Sequence, residues 1–507
     1  MTFMNKNLFY QKIKNNPELS ILFLVFVITV PLLLTPWVYT EGAADYSWVR
    51  SFIMDGDLDC SNEFEYYGKE FQQRYGWAGI TYDLFPLKTA TGIQANKYSI
   101  GSAFLWSPFF LVGHFFTIVF TDLPADGYSK IYVLFVSFAS CLYAFLGILL
   151  GYLIAKRFFP ARIVLFAAIG IWFASSIPVY MYLNPSMPHN ASMFAVSLFL
   201  FYWVKTLHDR SSKQWLVLGL LAGLMMMVRM ENLMFTICPL LESLNTYYQG
   251  YKQKDKAKIK KLLLQNVVFV LFLIVGFSPQ MVVWKIVFGK FFVQPYDIHQ
   301  ALINTAQNLS AITEPGVSGA VRYPAIISFL RFFTHPHLGQ TLWGSSHGIF
   351  TWTPIILFSF LGFIWLIQKE KKEGVIIFVA LIVIVYVTSC SFKGGSSFGD
   401  RYLLKCTSIY IIGLSALIYR FKKQLRETIL IAILFLFILW NGMFIVQYST
   451  GLVPRIGPIS WSQMIKNQFF AAPQKLIYFA KPFLLGRDSV YNVKKQQEEV
   501  KDTEVRQ

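Results

Sequence analysis

Apolar runs near 20 residues long recur along this chain, and short Lys- and Arg-rich stretches separate them. An apolar run of that length matches the hydrocarbon thickness of a bilayer when it coils as a helix. In lipid, a spanning segment must satisfy its own backbone polar groups. The pattern therefore restricts the chain to one class: an all-α polytopic membrane protein with about 9–12 transmembrane helices. Composition agrees. Of 507 residues 55% are apolar and only 14% charged, and Phe, Trp and Tyr reach 18%. A soluble domain carries about a quarter charged residues. Aromatic side chains in such numbers suit the two membrane interfaces.

The net charge of +18 would suit nucleic acid if it formed one patch. It lies instead in the turns between apolar runs: Lys156-Arg157 with Arg162, Lys205 to Lys213, Lys252 to Lys261, Lys369 to Lys372 and Arg420 to Arg426. That is an orientation signal, and it adds contact with anionic lipid, so membrane lipids are expected partners and nucleic acid is not. With these turns and the N-terminus in the cytoplasm, the spans read Leu19–Tyr39, Ile131–Ala155, Ile163–Leu183, Ala191–Val204, Leu263–Val287, Ile349–Ile367, Val375–Cys390, Tyr402–Tyr419 and Thr428–Val446. Lys6, Lys12 and Lys14 precede the first run, which is long for a cleaved signal and reads as a retained anchor. Ser102–Phe120 would disturb the charge pattern as a full span, so it is expected at or within the outer leaflet. Trp215–Leu244 is too long for one crossing; Arg229, Glu231 and Asn232 predict two short helices with a polar break.

The basic residues alone thus put every other polar segment outside: 40–130, Asn184 to Asn190, 288–347 and Ser391–Arg401. One membrane domain over 1–450 is expected, with a tail over 451–507 that is amphiphilic and then polar. Cys141, Cys238 and Cys406 lie in apolar runs, Cys390 ends one, and only Cys60 is in a polar loop, so no disulfide framework is predicted.

Carboxylates crowd the mouth of the first span: Glu41, Asp45, Asp55, Asp57, Asp59, Glu63 and Glu65. Charge so close to lipid must face water, a partner or a substrate. Asp55 to Asp59 could suggest a cation site. It is not an EF-hand, since the sixth position is Cys60 and the twelfth Tyr66. A turn with solvated acids is the plainer reading. His335, His337 and His347 lack the spacing of a metal set, so a divalent metal stays an open possibility and no other cofactor is indicated. Walker and dinucleotide-binding glycine patterns are absent.

The stretch Glu41-Gly-Ala-Ala-Asp45-Tyr-Ser-Trp-Val-Arg50 resembles the first outer loop of the GT-C glycosyltransferases, above all the protein O-mannosyltransferases and the lipid A aminoarabinose transferases. The resemblance implies an outer-face enzyme that moves a sugar from a polyprenyl phosphate to an acceptor, whether lipid, glycan or protein. It implies a bacterial inner-membrane location and inversion at the anomeric carbon. Asp45 takes the family's place of the catalytic base, with Glu41 nearby. Asn96-Lys97-Tyr98, ahead of an apolar segment, resembles the phosphate-binding place. Phe398 to Tyr402 resembles the family's Arg-Tyr helix start, which makes Arg401 a second phosphate candidate. Lys393 and Arg74 are weaker ones. Tyr182 to Ala191 resembles the second outer loop, but offers Asn184, His189 and Asn190 where relatives often have an acid. His347 and Tyr402 are further candidate substrate contacts. Plainer roles stand beside these: a helix cap or an Arg50 partner for Asp45, and a snorkelling cation for Lys97. Two other functions are open. A secondary transporter or flippase would place charges near broken helices, as Arg229 and Glu231 are, and would often show a repeat, which this chain lacks. A membrane glycan ligase or polymerase would share the lipid phosphate chemistry.

The orientation is testable with single cysteines at Asn62, Thr313 and Gln253 in a background lacking Cys60. An impermeant thiol reagent on intact cells is expected to label the first two and spare the third. Labelling of Gln253 alone would reverse the assignment.

Overall fold

The computed structural model describes residues 16–38, 40–75, 84–207, 210–295, 298, 302, 334–390, 397–424, 426–454 and 457–481. Its helices run in chain order as α1 Pro17–Leu33, α2 Thr40–Arg50, α3 Ser61–Tyr75, α4 Gly101–Phe120, α5 Lys130–Lys156, α6 Ala161–Phe173, α7 His189–Lys205, α8 Ser212–Val228, α9 Ile237–Lys252, α10 Lys256–Phe288, α11 Ile355–Lys369, α12 Lys371–Cys390, α13 Thr407–Phe421, α14 Glu427–Ser449, α15 Trp461–Lys466 and α16 Ala472–Lys481. Among the described residues there is no strand, only an isolated antiparallel bridge between Lys88 and Gln94. Among the described residues six segments are long and apolar enough to cross a membrane: α4, α5, α10, α12, Arg401–Phe421 and α14. Helices α1, α6, α8 and α11 are apolar but shorter. The all-α membrane class follows.

Several helices end earlier than their apolar runs, and proline is the cause. The first span was expected to reach Tyr39, yet α1 stops at Leu33. Pro36 pushes the residue before it into extended backbone, and Thr35 N bonds instead to Tyr182 O at 2.8 Å. The expected span Ile163–Leu183 likewise breaks after Phe173, ahead of Pro178. Asn441 of α14 covers the exposed helix end, its amide donating to Phe173 O at 2.9 Å and Ser175 O at 2.7 Å. Pro354 divides Ile349–Ile367 into a short turn, Ile349–Trp352, and α11. The polar break in Trp215–Leu244 is present as expected: a 3₁₀ turn, Met230–Thr236, joins α8 to α9. Ser102–Phe120, expected as a leaflet-packed segment, is within one continuous 20-residue helix of membrane-crossing length.

The chain forms two compact units, residues 1–35, 144–183 and 335–507 in the first and 36–143 and 184–334 in the second. In the second, α4 runs antiparallel to the first half of α5. Phe116 meets Phe135 and Phe109 meets Phe138, with ring centroids 5.9 and 6.2 Å apart, and Tyr143 OH donates to Leu105 O at 2.8 Å. Helices α8 and α10 cross where Gly223 and Gly276 let the backbones touch, as small residues do between membrane helices. A Cβ at Gly276 would lie 2.7 Å from Leu220 O. In the first unit, α11 and α13 cross in the same way at Gly362 and Gly413. A Cβ at Gly413 would meet the Phe363 ring at 2.8 Å. Residues 457–481, in the amphiphilic part of the tail, are partly folded onto α14: Gln447 donates to Gln468 Oε1 at 2.6 Å, and Met464 and Ala472 are buried. The reason is that Gln447 is a buried polar group inside an apolar helix and needs a partner.

Gly276→Val should destabilise the second unit by about 1–3 kcal/mol, the usual range for overpacking. A fall in thermal midpoint in detergent, absent from the control Gly442→Ala at a position with open space, is the expected reading.

Candidate functional site

The second unit gathers the carboxylate-rich loop around α2. Glu41 lies in its first turn and Arg50 in its last, which matches the helix dipole at both ends. Asp45 is in the middle of α2 and only 1% exposed, between buried Ala44 and Tyr46. The segment that carries Lys97 is pinned along the same helix. Asn96 Nδ2 donates to Ala44 O at 2.8 Å, its Oδ1 accepts from Tyr98 N at 3.1 Å, and Trp48 Nε1 donates to Tyr98 O at 2.9 Å. Lys97 thus lies between two residues bonded to α2 on either side of Asp45. Its side chain is buried, with Nζ 5.4 Å from the centre of the Tyr98 ring.

The 184–190 turn reaches α2 from the other direction. A Cβ at Gly42 would lie 2.7 Å from Ser186 O, so that position admits no larger residue without a shift. His189 and Asn190 begin α7 and are buried, and Asn190 Nδ2 donates to Ser140 Oγ at 3.1 Å; Asn184 is half-buried. Asp45, the Lys97–Tyr98 segment and this turn are therefore brought together along one helix.

Arg50 organises the rest of the loop. Its guanidinium bonds Glu63 Oε1 at 2.6 Å, pairs with Asp55, donates to Asp126 O at 3.0 Å and lies 4.2 Å over the Tyr128 ring. The acid string is a turn with Asp55 and Asp57 exposed to solvent, as expected, and its acids also brace the turn through hydrogen bonds. Gly56 takes φ +73°, which only glycine adopts readily. Asp55 accepts from Asn62 at 2.8 Å, and Asp57 accepts from Ser51 Oγ at 2.8 Å and Asp59 N at 3.0 Å. Asp59 accepts from Gln94 N at 3.0 Å and pairs with Lys88 at 3.1 Å. Partial burial works against the Asp59 charge, yet the bonds from Ser61, Gln94 and Lys88 hold its carboxyl below the usual range. Among the described residues no group of three or more His, Cys, Asp or Glu could hold a metal ion.

The first unit holds the remaining candidates. Asp400, which sequence reasoning passed over, caps the 3₁₀ turn Arg401–Cys406 by accepting from Tyr402 N at 3.1 Å. Arg401 is buried, its guanidinium carbon 5.3 Å from the Tyr402 ring centre. Burial pushes the Asp400 carboxyl up to about 7, against the pull of Lys405 and Arg401. His347 is buried with its ring 5.7 Å from Trp352, whereas His335 and His337 are exposed. Lys393 and the Arg74 side chain lie outside the described residues, as does most of 288–347. Glu63 is the other residue the sequence reading missed. The acid is plain in the sequence, in the first turn after Ser61, but nothing local shows that the fold buries it against Arg50. Burial raises its carboxyl to about 7, with the Arg50 bond opposing.

That shift has a sign. An acid raised in the fold from 4.5 to about 7 contributes stability that is full below 4.5 and lost as pH rises through about 7. Glu63→Gln cannot ionise. The thermal midpoint of the variant relative to wild type should therefore climb between pH 5 and 8, measured in detergent by scanning fluorimetry; a flat or falling difference would contradict the burial.

Among curated proteins none matches the chain. Among solved structures, the crystal structure of ArnT from Cupriavidus metallidurans in the apo state is similar over 91% of this chain and 73% of that one, at 12% identity and a TM-score of 0.42. Residues 112–284, from the second half of α4 nearly to the end of α10, match the dolichyl-phosphate-mannose-protein mannosyltransferase family. That segment, about a third of the chain, is similar to the protein mannosyltransferases, and the long apolar helices make the chain an integral membrane protein.

Proposed function

We propose that this protein transfers a sugar from a polyprenyl phosphate donor to an acceptor hydroxyl on the outer face of a bacterial inner membrane. The observation that carries the reading is the pinning of Asn96 and Tyr98 onto α2, which holds the segment of a buried lysine against the helix of a buried aspartate. A lysine and a carboxylate held together suit a reaction in which one bond forms as an anionic group leaves.

In this reading the acceptor oxygen attacks the anomeric carbon from the side opposite the phosphate. The new C–O bond forms as the bond to the phosphate oxygen breaks, and configuration inverts. The electron pair departs with the lipid phosphate, whose charge Lys97 stabilises. The acceptor's proton passes to Asp45 as general base. Glu41, in the first turn of α2, orients the helix end and the acceptor. Tyr98 lines the phosphate place. Arg401 is the second candidate cation, with Tyr402 beside it. His189, Asn184 and His347 are candidate substrate contacts. The family match over 112–284 supports a mannosyltransferase-like donor, and the acceptor class is lipid, glycan or protein.

The test is transfer from a polyprenyl phosphate sugar by purified protein in detergent. Asp45→Asn keeps shape and removes the basic oxygen, so the rate should fall by about 10²-fold or more. Glu41→Gln should cost less. Lys97→Ala should lose transfer most strongly at limiting donor while its thermal midpoint stays near wild type. Near-normal rates in both Asp45→Asn and Lys97→Ala, with Arg401→Ala inactive, would move the chemistry out of α2.

A further inference from the structure

The end of the described chain is where charge and exposure depart from the pattern elsewhere. In the first unit the orientation turns gather at one end. Arg162 pairs with Glu427 at 2.5 Å, and Lys369 lies 4.6 and 4.7 Å from the Phe159 and Tyr419 ring centres and donates to Phe158 O. Helix α14 starts at that end and runs 23 residues away from it. At its far end Tyr448 packs on Phe398 and Trp352, with centroids 5.6 and 6.2 Å apart, close to where the Arg401 turn begins. There the chain turns back through α15 and α16.

This returning segment is anchored on one side. Ser460 Oγ caps α15 by accepting from Gln463 N at 3.2 Å. Asn467 donates to Leu452 O at 3.0 Å, and Gln468 donates to Trp440 O at 2.7 Å. The other side is uncovered and large: Trp461, Ile465, Phe469, Phe470, Ile477 and Tyr478 are 48–79% exposed. From 450 to 487 the sequence carries Arg455, Lys466, Lys475, Lys481 and Arg487 and no acid. Basic residues at this end do nothing for orientation, since that signal is read in turns at the other end. A short helical element with one anchored face, aromatic and aliphatic groups on the other, and exclusively positive charge fits a bilayer interface.

We infer that residues 461–481 form an interfacial element whose exposed rings enter the headgroup boundary and whose lysines meet anionic phospholipid, on the end of the first unit that bears Arg401. Each lysine near such a surface gains about 1 kcal/mol from it. The inference does not depend on the sugar-transfer reading.

The experiment uses the full chain with Cys60, Cys141, Cys238, Cys390 and Cys406 replaced and a nitroxide at residue 470 or 477. The protein is placed in vesicles of phosphatidylcholine alone or of an equal mixture with phosphatidylglycerol. Collision with oxygen is expected to exceed collision with a water-soluble nickel chelate several-fold, and more so with phosphatidylglycerol. Lys466→Glu with Lys475→Glu should reduce the phosphatidylglycerol effect, with an unchanged thermal midpoint as the check that the fold survives; Lys466 is exposed and Lys475 half-buried. Three results would overturn the inference. Equal access to the nickel chelate in both vesicles would mean the face meets water. Protection from both reagents would mean protein covers it. Immersion only after polyprenyl phosphate is added to neutral vesicles would make the carrier lipid the occupant.

Discussion

A buried guanidinium holds the loop of the second unit together. Arg50 cannot be left there unpaired, because an uncompensated internal charge costs about 3–5 kcal/mol. Its partners come from three further places in the chain: the turn after α2 (Asp55), the first turn of α3 (Glu63) and the link between α4 and α5 (Asp126 and Tyr128). One side chain thus sets where α2 ends and what lies against that end. Tyr46 adds to the same junction, donating to Gly127 O at 2.7 Å. From there the braces run in sequence. Ser51 and Asp59 N bind Asp57, Gln94 N binds Asp59, and Asn96 binds Ala44. The last of these bonds lands one residue before Asp45. The geometry of Asp45 and Lys97 is therefore a product of a chain of polar contacts, each of which uses a group that would be expensive to bury alone.

This explains why so many acids follow the first span. Asp55, Asp57, Asp59 and Glu63 are spent on internal bonds. Their number had suggested a cation, and their bonds show a frame. A preorganised frame is what sugar transfer from a lipid phosphate requires, since charge develops at two places, on the leaving phosphate and on the acceptor oxygen. Both must be met by groups that do not have to move.

Asp45 and Lys97 were conspicuous in the sequence because each stands beside an apolar run, and a charge there needs a reason. Glu63 and Asp400 were not. The letters show that an acid exists, and they do not show that α3 or the Arg401 turn will bury it. Both become visible once tertiary packing removes water from the carboxyl. The helix ends follow the same division. Pro36, Pro178 and Pro354 were readable as breaks, yet hydropathy averaged over a window carried the expected spans through them. The membrane class survived because it depends on run length alone. The fold of 457–481 was hidden for a different reason. Gln447 reads as one polar residue near the end of an apolar helix, and nothing local reveals that Gln468 will answer it.

The broken helix between α8 and α9 bears on the rival functions. A transporter uses such a break to leave backbone and charge available to a substrate. Here the break is largely satisfied by its own neighbourhood. Arg229 Nε bonds Glu231 Oε1 at 2.6 Å within the turn. Asn232 Nδ2 takes the Met225 carbonyl at 2.9 Å, and its Oδ1 accepts from Ser192 Oγ of α7 at 3.0 Å. Asn232 is fully buried, so these bonds do the work that water or a substrate would otherwise do at a helix end. Gly101, the first residue of α4, closes the remaining space: a Cβ there would run into the Val228 backbone. A junction filled by backbone on one side and by an Asn–Ser pair on the other is a packing device. The feature that most favoured transport in the sequence is thus explained by the need to end one helix and begin the next inside apolar surroundings. The polar groups at α2 stand apart from that junction: Asp45 is buried within a helix whose end Arg50 braces through Glu63 and Asp55, and Lys97 is buried beside it. Buried ionisable residues that a rigid frame holds in place are where chemistry is to be sought.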